Sequence, residues 1–448
     1  KSGGATATAT LIAPTETATS TPVPEKQAAE ESPVIEEELQ PSLTPTLPEP
    51  TDVPIVAVGP NVYPSNINPL SGLPVQNPDN LFLPPALVTI TNWPPSARPQ
   101  AGLSFSPIVF EWYIGEGMSR YQALFYGDYP EGVNPGANGP SDPTDSQNSP
   151  PPPSDEVTLG PIRSGRLPFE YVRNLYNGFL IMASAYKGVA NNLSEFTNVF
   201  GSDDGDVNSA MIKVTQIEEI AYNTQKKVGN TSLSGMLFDP VPPAGGAPAS
   251  RLWFMYNILN QVIWQYDQDG GVYRRYQFTG DSRNVFEEDT DRLNGDPLGY
   301  SNLVILFAEH RACTETAYDV DLMYVNRAPA LLFRDGQIYK LYWTTKNEEY
   351  EKTTGKVRPI RFIDEQGNPF PFKPGQTWIH VVPLNTRYWE TRPSDVVDAM
   401  VYDQAKNDPS VLFDNIRYEQ SGTGLWAIRY IASMMIEDED VCAKIRSY

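Results

Sequence analysis

The sequence predicts an α+β protein, with an N-terminal mixed α/β domain over 61–238 followed by a β-rich domain over 251–384. A Pro/Thr-rich arm of the disordered type (1–60) precedes them, and a mixed or helical C-terminal extension (385–448) follows. Three observations lead there. Proline is abundant, 43 of 448 residues, yet gathers into separable stretches. Short β-branched and aromatic runs bounded by Gly, Pro, Asn and Asp dominate the second half. Helical spacing of apolar residues occurs in only a few places.

The arm begins with alternating Ala and Thr, continues with Pro and Glu, and holds no aromatic residue. Up to Asp52 it carries nine acidic and two basic side chains. Such a composition buries too little apolar area to offset the entropy of ordering it. It reads either as a flexible tether or as an arm laid along a partner. In the second case Val34, Ile35, Leu39, Leu43 and Leu47 are the anchors.

From Asn61 onward each element has its own signal. Ala86–Asn92 is a short β-branched run closed by Pro and reads as a buried strand. Pro107–Ile114 and Ser119–Phe125 read as two strands joined by the Gly115–Met118 connection, hence a hairpin. A surface insertion of Pro, Gly, Ser, Asp and Asn spans 129–157. Phe169, Val172 and Leu175 predict a helix over Pro168–Tyr176, a strand follows at Phe179–Ala183, and a second helix is expected over Ala210–Ile220. A Pro/Gly linker occupies 239–250. Beyond it, Val262–Tyr266 and Val272–Phe278 flank Asp-Gln-Asp-Gly-Gly, a hairpin signal. Strands are expected at Asn302–Phe307, Ala330–Phe333, Gln337–Trp343 and Thr377–Val382. Pro393–Gln404, Asp408–Ile416 and Trp426–Ile436 read as helical or mixed.

Charge and composition narrow the function classes. A net charge of −22 repels phosphate backbones and anionic headgroups, so no nucleic-acid partner is expected. The sequence holds two His and two Cys, with no CxxC, HExxH, G-x-S-x-G or phosphate-loop pattern, so no metal or cofactor is expected. Asp204-x-Asp206-x-Asn208 matches the start of a calcium loop only in part, because Ser209 replaces the sixth-position Gly and Thr215 the twelfth-position Glu. His310 and His380 lack companions at ligand spacing and read as packed or surface residues.

Arg98, Arg120, Arg163 and Arg166 form a candidate anion-binding set, because guanidinium forks hold carboxylate or phosphate at two points. The plain alternative is a structural network with Glu111, Glu116 and nearby Asp. Glu111 sits in an apolar strand, so a partner is required, and Arg120 or Arg163 is the natural one. Glu111 and Glu116 are also a candidate acid/base pair, as the two carboxylates of a glycosidase. Trp253, Phe254, Tyr256, Trp264, Tyr266, Tyr273, Tyr276, Tyr342 and Trp343 are core or cross-strand pairs, with a sugar-binding strip as the alternative.

Seven segments resemble one family, the YerB-like bacterial lipoproteins of unknown function. They are Asn68-Pro-Leu-Ser-Gly-Leu-Pro74, Ala97-Arg-Pro-Gln100 with Gly102-Leu-Ser104, Ile108-Val-Phe-Glu111, Glu116-Gly-Met-Ser-Arg120, Gly160-Pro-Ile-Arg-Ser-Gly-Arg166, Phe333-Arg-Asp-Gly336 and Pro374-Gly-Gln-Thr-Trp-Ile379. They keep their order over about 320 of 448 residues. Lys226–Leu237 departs from the family, which usually carries Pro-His-Asn there.

The resemblance implies an extracytoplasmic, envelope-anchored protein and no particular reaction. The Lys-Ser-Gly-Gly start and the stalk after it look like the region following a cleaved lipoprotein signal, so a lipidated Cys is expected before Lys1. In such a compartment the two cysteines imply a Cys313–Cys442 bridge, the alternative being two unrelated thiols. The first reading is therefore a non-enzymatic envelope protein that contacts the membrane through its lipid alone. It binds cell-wall polymer or forms a homo-oligomer or surface lattice. The second is a wall-polymer enzyme with Arg163 and Arg166 on an anionic group and Glu111 or Glu116 as acid/base.

The arm reading is testable. Deleting Lys1–Pro54 is expected to leave a soluble, folded monomer that no longer assembles. Sedimentation of full-length and truncated protein checks this, and assembly by the truncated chain refutes it.

Overall fold

The computed structural model describes residues 56–130, 157–200, 210–281, 283, 285–355, 358–390 and 422–446. The arm anchors, most of the 129–157 insertion, the Asp204–Asn208 segment and the first two helix candidates after Pro383 lie outside the described residues. Strands far outnumber helices, so the α+β expectation holds in its β-rich form.

The largest sheet draws strands from both halves of the chain. In spatial order it runs Arg361–Ile363, Gln337–Thr344, Ala328–Arg334, Asn302–Ala308, Thr377–Pro383, Ile108–Gly115, Met118–Phe125, Ala86–Thr91, Phe179–Met182 and Thr197–Val199. Thr377–Pro383 is the joint. It pairs in parallel with Asn302–Ala308 on one side and with Ile108–Gly115 on the other. All three strands are buried along their whole length. That accounts for their unbroken apolar runs, since a strand covered on both faces has no solvent side to alternate toward. The sheet thus runs across the 239–250 segment, and Ala247–Pro248 itself pairs with Gln337–Thr344.

The Ile108–Gly115/Met118–Phe125 hairpin turns on Glu116 and Gly117, both at positive φ, as a two-residue turn of the primed type requires. Alternation then sends Phe110 and Trp112 to one face, where Tyr176 and Phe169 of the Leu167–Leu175 region meet them at 6.1 and 5.8 Å. It sends Glu111 and Tyr113 to the other face.

A second sheet covers that other face. Its order is Phe286–Glu288, Val272–Phe278, Asn260–Asp267, Arg251–Asn257, Leu425–Arg429 and Tyr388–Glu390. Leu252, Phe254 and Tyr256 turn into the main core, while Trp253 and Met255 pack with Trp389 and Ala427 in a separate cluster. Arg251–Asn257, whose Trp253, Phe254 and Tyr256 point to core or cross-strand pairs, is also a strand. Trp426–Ile436, expected to be helical or mixed, instead supplies the strand Leu425–Arg429, parallel to Arg251–Asn257. Its partner lies far away in sequence, so local propensity could not reveal it. The Ala210–Ile220 helix begins later and runs on, over Val214–Val228.

The end of the chain is pinned twice. Ile436–Glu437 pairs with Arg311–Thr314, and the helix Glu439–Arg446 follows. Cys313 and Cys442 form a disulfide with a Cα–Cα distance of 4.7 Å. Val441 and Ile445 pack on Leu167 and Val189. Gly188 lies so close beneath this helix that a Cβ there would sit 1.8 Å from the Ile445 carbonyl oxygen, so only Gly fits.

The bridge spans 129 residues, which in the chain-entropy model is worth about 4–5 kcal/mol. Cys442→Ser is expected to lose stability of that order in denaturant titration. Helix Glu439–Arg446 should become the first segment to exchange its amide hydrogens.

Candidate functional site: a buried polar joint between the two sheets

Glu111 and His380 are direct cross-strand neighbours in the parallel pair of the joint. Both are completely buried and face the second sheet. Strand Val272–Phe278 brings Arg275 over them, also buried. Arg275 Nη2 lies 3.4 Å from Glu111 Oε2 and donates to Gln277 Oε1 at 2.9 Å. Its Nη1 pairs with Asp289. The guanidinium also stands 4.8 Å from the ring of Trp378, 5.3 Å from Tyr121 and 5.6 Å from Trp264.

Every group around Glu111 is a donor. Ser119 Oγ donates to Oε1 at 2.7 Å and Trp378 Nε1 to Oε2 at 3.0 Å. His380 Nδ1 lies 3.4 Å from Oε2. Ser119 in turn accepts from Asn92 Nδ2 and Asn260 Nδ2 at 2.9 and 3.2 Å, so its hydroxyl hydrogen is directed at Glu111. Burial pushes the Glu111 pKa up, opposed chiefly by Arg275 and then by these donors.

The tautomer of His380 follows from its neighbours. An indole N–H only donates, and Trp264 Nε1 lies 3.0 Å from His380 Nε2, so Nε2 accepts and the proton sits on Nδ1. Nδ1 faces Tyr256 Oη at 3.1 Å and the Glu111 carboxylate. Phe254 stacks on the imidazole at 4.2 Å. Burial, with the Arg275 charge added, holds His380 well below the usual histidine range, so it is neutral. His310 is likewise buried and pushed down to about 4, with Nδ1 2.9 Å from the Ala308 carbonyl.

A second buried carboxylate closes the joint. Asp291 accepts from the backbone N–H groups of Gly102, Ser104 and Leu293 at 2.9, 2.8 and 2.9 Å and from Ser104 Oγ at 2.9 Å. It therefore fixes the loop that carries Ala97-Arg-Pro-Gln100 and Gly102-Leu-Ser104.

The arginines named from sequence divide between two places. Arg98 joins this network, donating to Asn92 Oδ1 at 3.2 Å and to the Phe278 carbonyl at 3.1 Å. Arg120 and Arg166 converge on Ser164 Oγ at 2.9 and 3.3 Å. Arg163 is buried beside them in sequence, and its backbone is held by Thr89 and Ala183. Glu111 takes Arg275 as its ion partner instead of the expected Arg120 or Arg163, because the second sheet covers its face of the strand. Glu116 sits exposed in the hairpin turn, where its N–H donates to Glu315 Oε1 at 3.0 Å, so the two carboxylates of the proposed acid/base pair face different surroundings. Among the aromatics, Trp264, Tyr273 and Trp343 are core.

Sequence reasoning missed Arg275, Asp289 and Asp291. Their signal was local and weak, an Arg in an alternating aromatic strand and an Asp-x-Asp beside it. Among the described residues no group of three or more His, Cys, Asp or Glu is placed to hold a metal ion. No helix among them is long and apolar enough to cross a membrane.

Two sheets joined by a buried ionic network, with strands of both halves interleaved, define a two-part body rather than two separable domains. Family models match each part: the N-terminal domain of a protein family of unknown function, DUF3048, over residues 70–136, and its C-terminal domain over residues 254–379. The chain thus matches both domains described for this family, in the same order. A relative in Bacillus subtilis (strain 168), named "Putative lipoprotein YerB", is 27% identical over 336 residues, covering 70% of this chain and 86% of its own. A crystal structure of the YerB protein from Bacillus subtilis is 24% identical with a TM-score of 0.50, covering 71% of this chain and 96% of that one, and shows a similar fold.

The buried histidines predict a pH dependence. A folded-state pKa depressed below 6.5 means the unfolded chain takes up the proton first, so stability falls as pH drops through 6.5 toward 4. His380 acts in the same direction, while the raised Glu111 pKa acts against it. Between pH 6.5 and 5, His310 alone should cost about 1.5 kcal/mol. Chemical denaturation of His310→Phe, compared with the parent at both pH values, should show a loss smaller by that amount.

Proposed function

We propose that this chain is a non-enzymatic protein of the cell envelope, lipid-anchored and extracytoplasmic, whose folded body binds wall material. The relative's description as a lipoprotein supports the location, as does the Cys313–Cys442 bridge, since disulfides persist in oxidising compartments. The single observation that carries the non-catalytic reading is the enclosure of Glu111. This carboxylate, the one placed in an apolar strand by the sequence, is fully buried and surrounded by donors already committed to it. A general acid must reach the substrate atom that it protonates, and a general base the proton that it removes, and this carboxylate has no open side. Assembly into a surface array through residues 1–60 belongs to the same proposal on the composition of the arm.

The test uses the full chain. It is expected to cosediment with purified wall sacculi without releasing soluble fragments. Glu111→Gln should lower the melting temperature, because a buried pair that loses one member is costly, about 3–5 kcal/mol. The folded fraction of that variant should keep its wall binding. Release of wall fragments by the parent, lost in folded Glu111→Gln, would overturn the proposal, as would failure of the parent to bind sacculi.

A further inference from the structure

Beside the loop that Asp291 fixes, two hollows of about 460 and 340 Å³ run into one another as a single groove. Ser104, Phe105, Val272, Gly299 and Gln376 line both. Three of the segments that resemble the family meet here, through Ser71, Ser104 and Gln376. The Gly375 N–H donates to the Ser71 carbonyl at 2.7 Å and ties the first segment to the third.

Gln376 is held by one half of its amide. Its Nε2 donates to the carbonyls of Ser104 and Ser106, and a carbonyl oxygen only accepts, so the orientation of the amide is set. Its own backbone carbonyl accepts from the Asn302 N–H at 3.1 Å. Gln376 Oε1 is left without a hydrogen-bond partner among the described residues, yet it is not shut away from solvent. Ser301 Oγ is likewise unpartnered among them and open to the groove. Gly375 leaves room for it. A Cβ at that position, φ 137°, would lie 2.0 Å from Ser301 Oγ. The groove thus offers a fixed acceptor and a hydroxyl, neither of them used by the fold.

The walls agree with these groups. Phe105 is half-buried against the main core and meets no other ring among the described residues. Leu73, Pro107, Val272 and Pro374 add apolar surface. Each charged residue borders one hollow only, and the five residues common to both are uncharged. Asp128 already accepts from the N–H groups of Gln76 and Asn77, and Arg274 is engaged by Asp267 and the Pro297 carbonyl. In a chain of net charge −22, such a lining suits a neutral ligand with many hydrogen-bonding groups. A sugar ring fits that description, with N–H and O–H donors at its edge and C–H groups for an aromatic face.

We infer that this groove binds an uncharged chain of N-acetylated sugar units. Gln376 Oε1 accepts from an acetamido N–H or a hydroxyl, Ser301 Oγ bonds a second hydroxyl, and Phe105 lies against a ring. This rests on the reading of the chain as a wall-binding protein, and it names the glycan strand as the part of the wall that is held.

Calorimetric titration of the full chain with tri-N-acetylchitotriose should show binding about tenfold tighter than with N-acetylglucosamine, since one ring does not fill both hollows. Ser301→Ala removes a hydroxyl that the fold does not use, so it should melt as the parent does and lose about fivefold in affinity for the trisaccharide. Phe105→Leu keeps the core filled without the ring face and should lose about as much. Both variants should cosediment less with sacculi. Absence of trisaccharide binding, or unchanged affinity in both folded variants, overturns the inference. Preferential binding of N-acetylated, C-amidated tetra-alanine makes the groove a peptide site and overturns it as well. If parent and variants cosediment with sacculi equally, the groove inference fails and wall binding stands. If the trisaccharide binds as expected and the parent ignores sacculi, the wall reading fails and the sugar site stands.

Discussion

The Arg275–Glu111 contact decides how the two sheets face each other. Glu111 belongs to a strand of the first half and Arg275 to the sheet of the second, and neither is reached by solvent. A buried ion pair is weak evidence for stability, because desolvation consumes most of the attraction. Breaking it is another matter. Either charge left alone at that depth costs a large share of the net stability of a folded chain. A sheet packed only through Phe254, Trp264 and Tyr273 could slide or rotate with modest loss. One that must also bring Arg275 to both Glu111 and Asp289 has a single register. The aromatic rings then complete the arrangement, since Trp378 and Trp264 each offer an N–H to the network and a face to the guanidinium.

The short motifs shared with the family acquire a physical meaning in this light. Many of their polar residues act at the seam. Gln100 donates to the Thr91 carbonyl, and Gly102 and Ser104 bind Asp291. Gln376 reaches back to the Ser106 carbonyl at 3.1 Å, and Trp378 to Glu111. Arg334, fully buried, is neutralised by Asp335 at 2.8 Å and donates to the Pro371 carbonyl. These residues hold backbone and charge where segments distant in sequence meet, and most of them face away from solvent.

What was legible in the sequence was what is local. The Glu116-Gly117 and Asp335-Gly336 turns, the helix at Phe169–Leu175 and the apolar strands each announce themselves within a dozen residues. Glu111 in an apolar run also announced that it needed a partner. The identity of that partner was not legible, because Arg275 lies 164 positions away and looks like any arginine in an amphipathic strand. The strand Leu425–Arg429 was misjudged for the same reason, its extended form being imposed by Arg251–Asn257. Of the four arginines grouped by sequence, Arg120 and Arg166 meet at Ser164 Oγ, whereas Arg98 stands on the other side of the hairpin through packing that no spacing encodes.

The position of Thr377–Pro383 has a consequence for how this molecule comes into being. A strand made late in synthesis lies at the centre of the largest sheet, between strands made some 270 and 75 residues earlier. Loop closure on that scale must precede the contacts that reward it, so folding is governed by long-range pairing and is slow. Until that strand arrives, Ile108–Gly115 presents an open apolar edge that invites pairing with any other extended chain. The first half is therefore not a folding unit in waiting. The two parts of this chain stand or fall together, and neither can be exchanged for a foreign module without leaving a sheet edge and a buried charge unanswered.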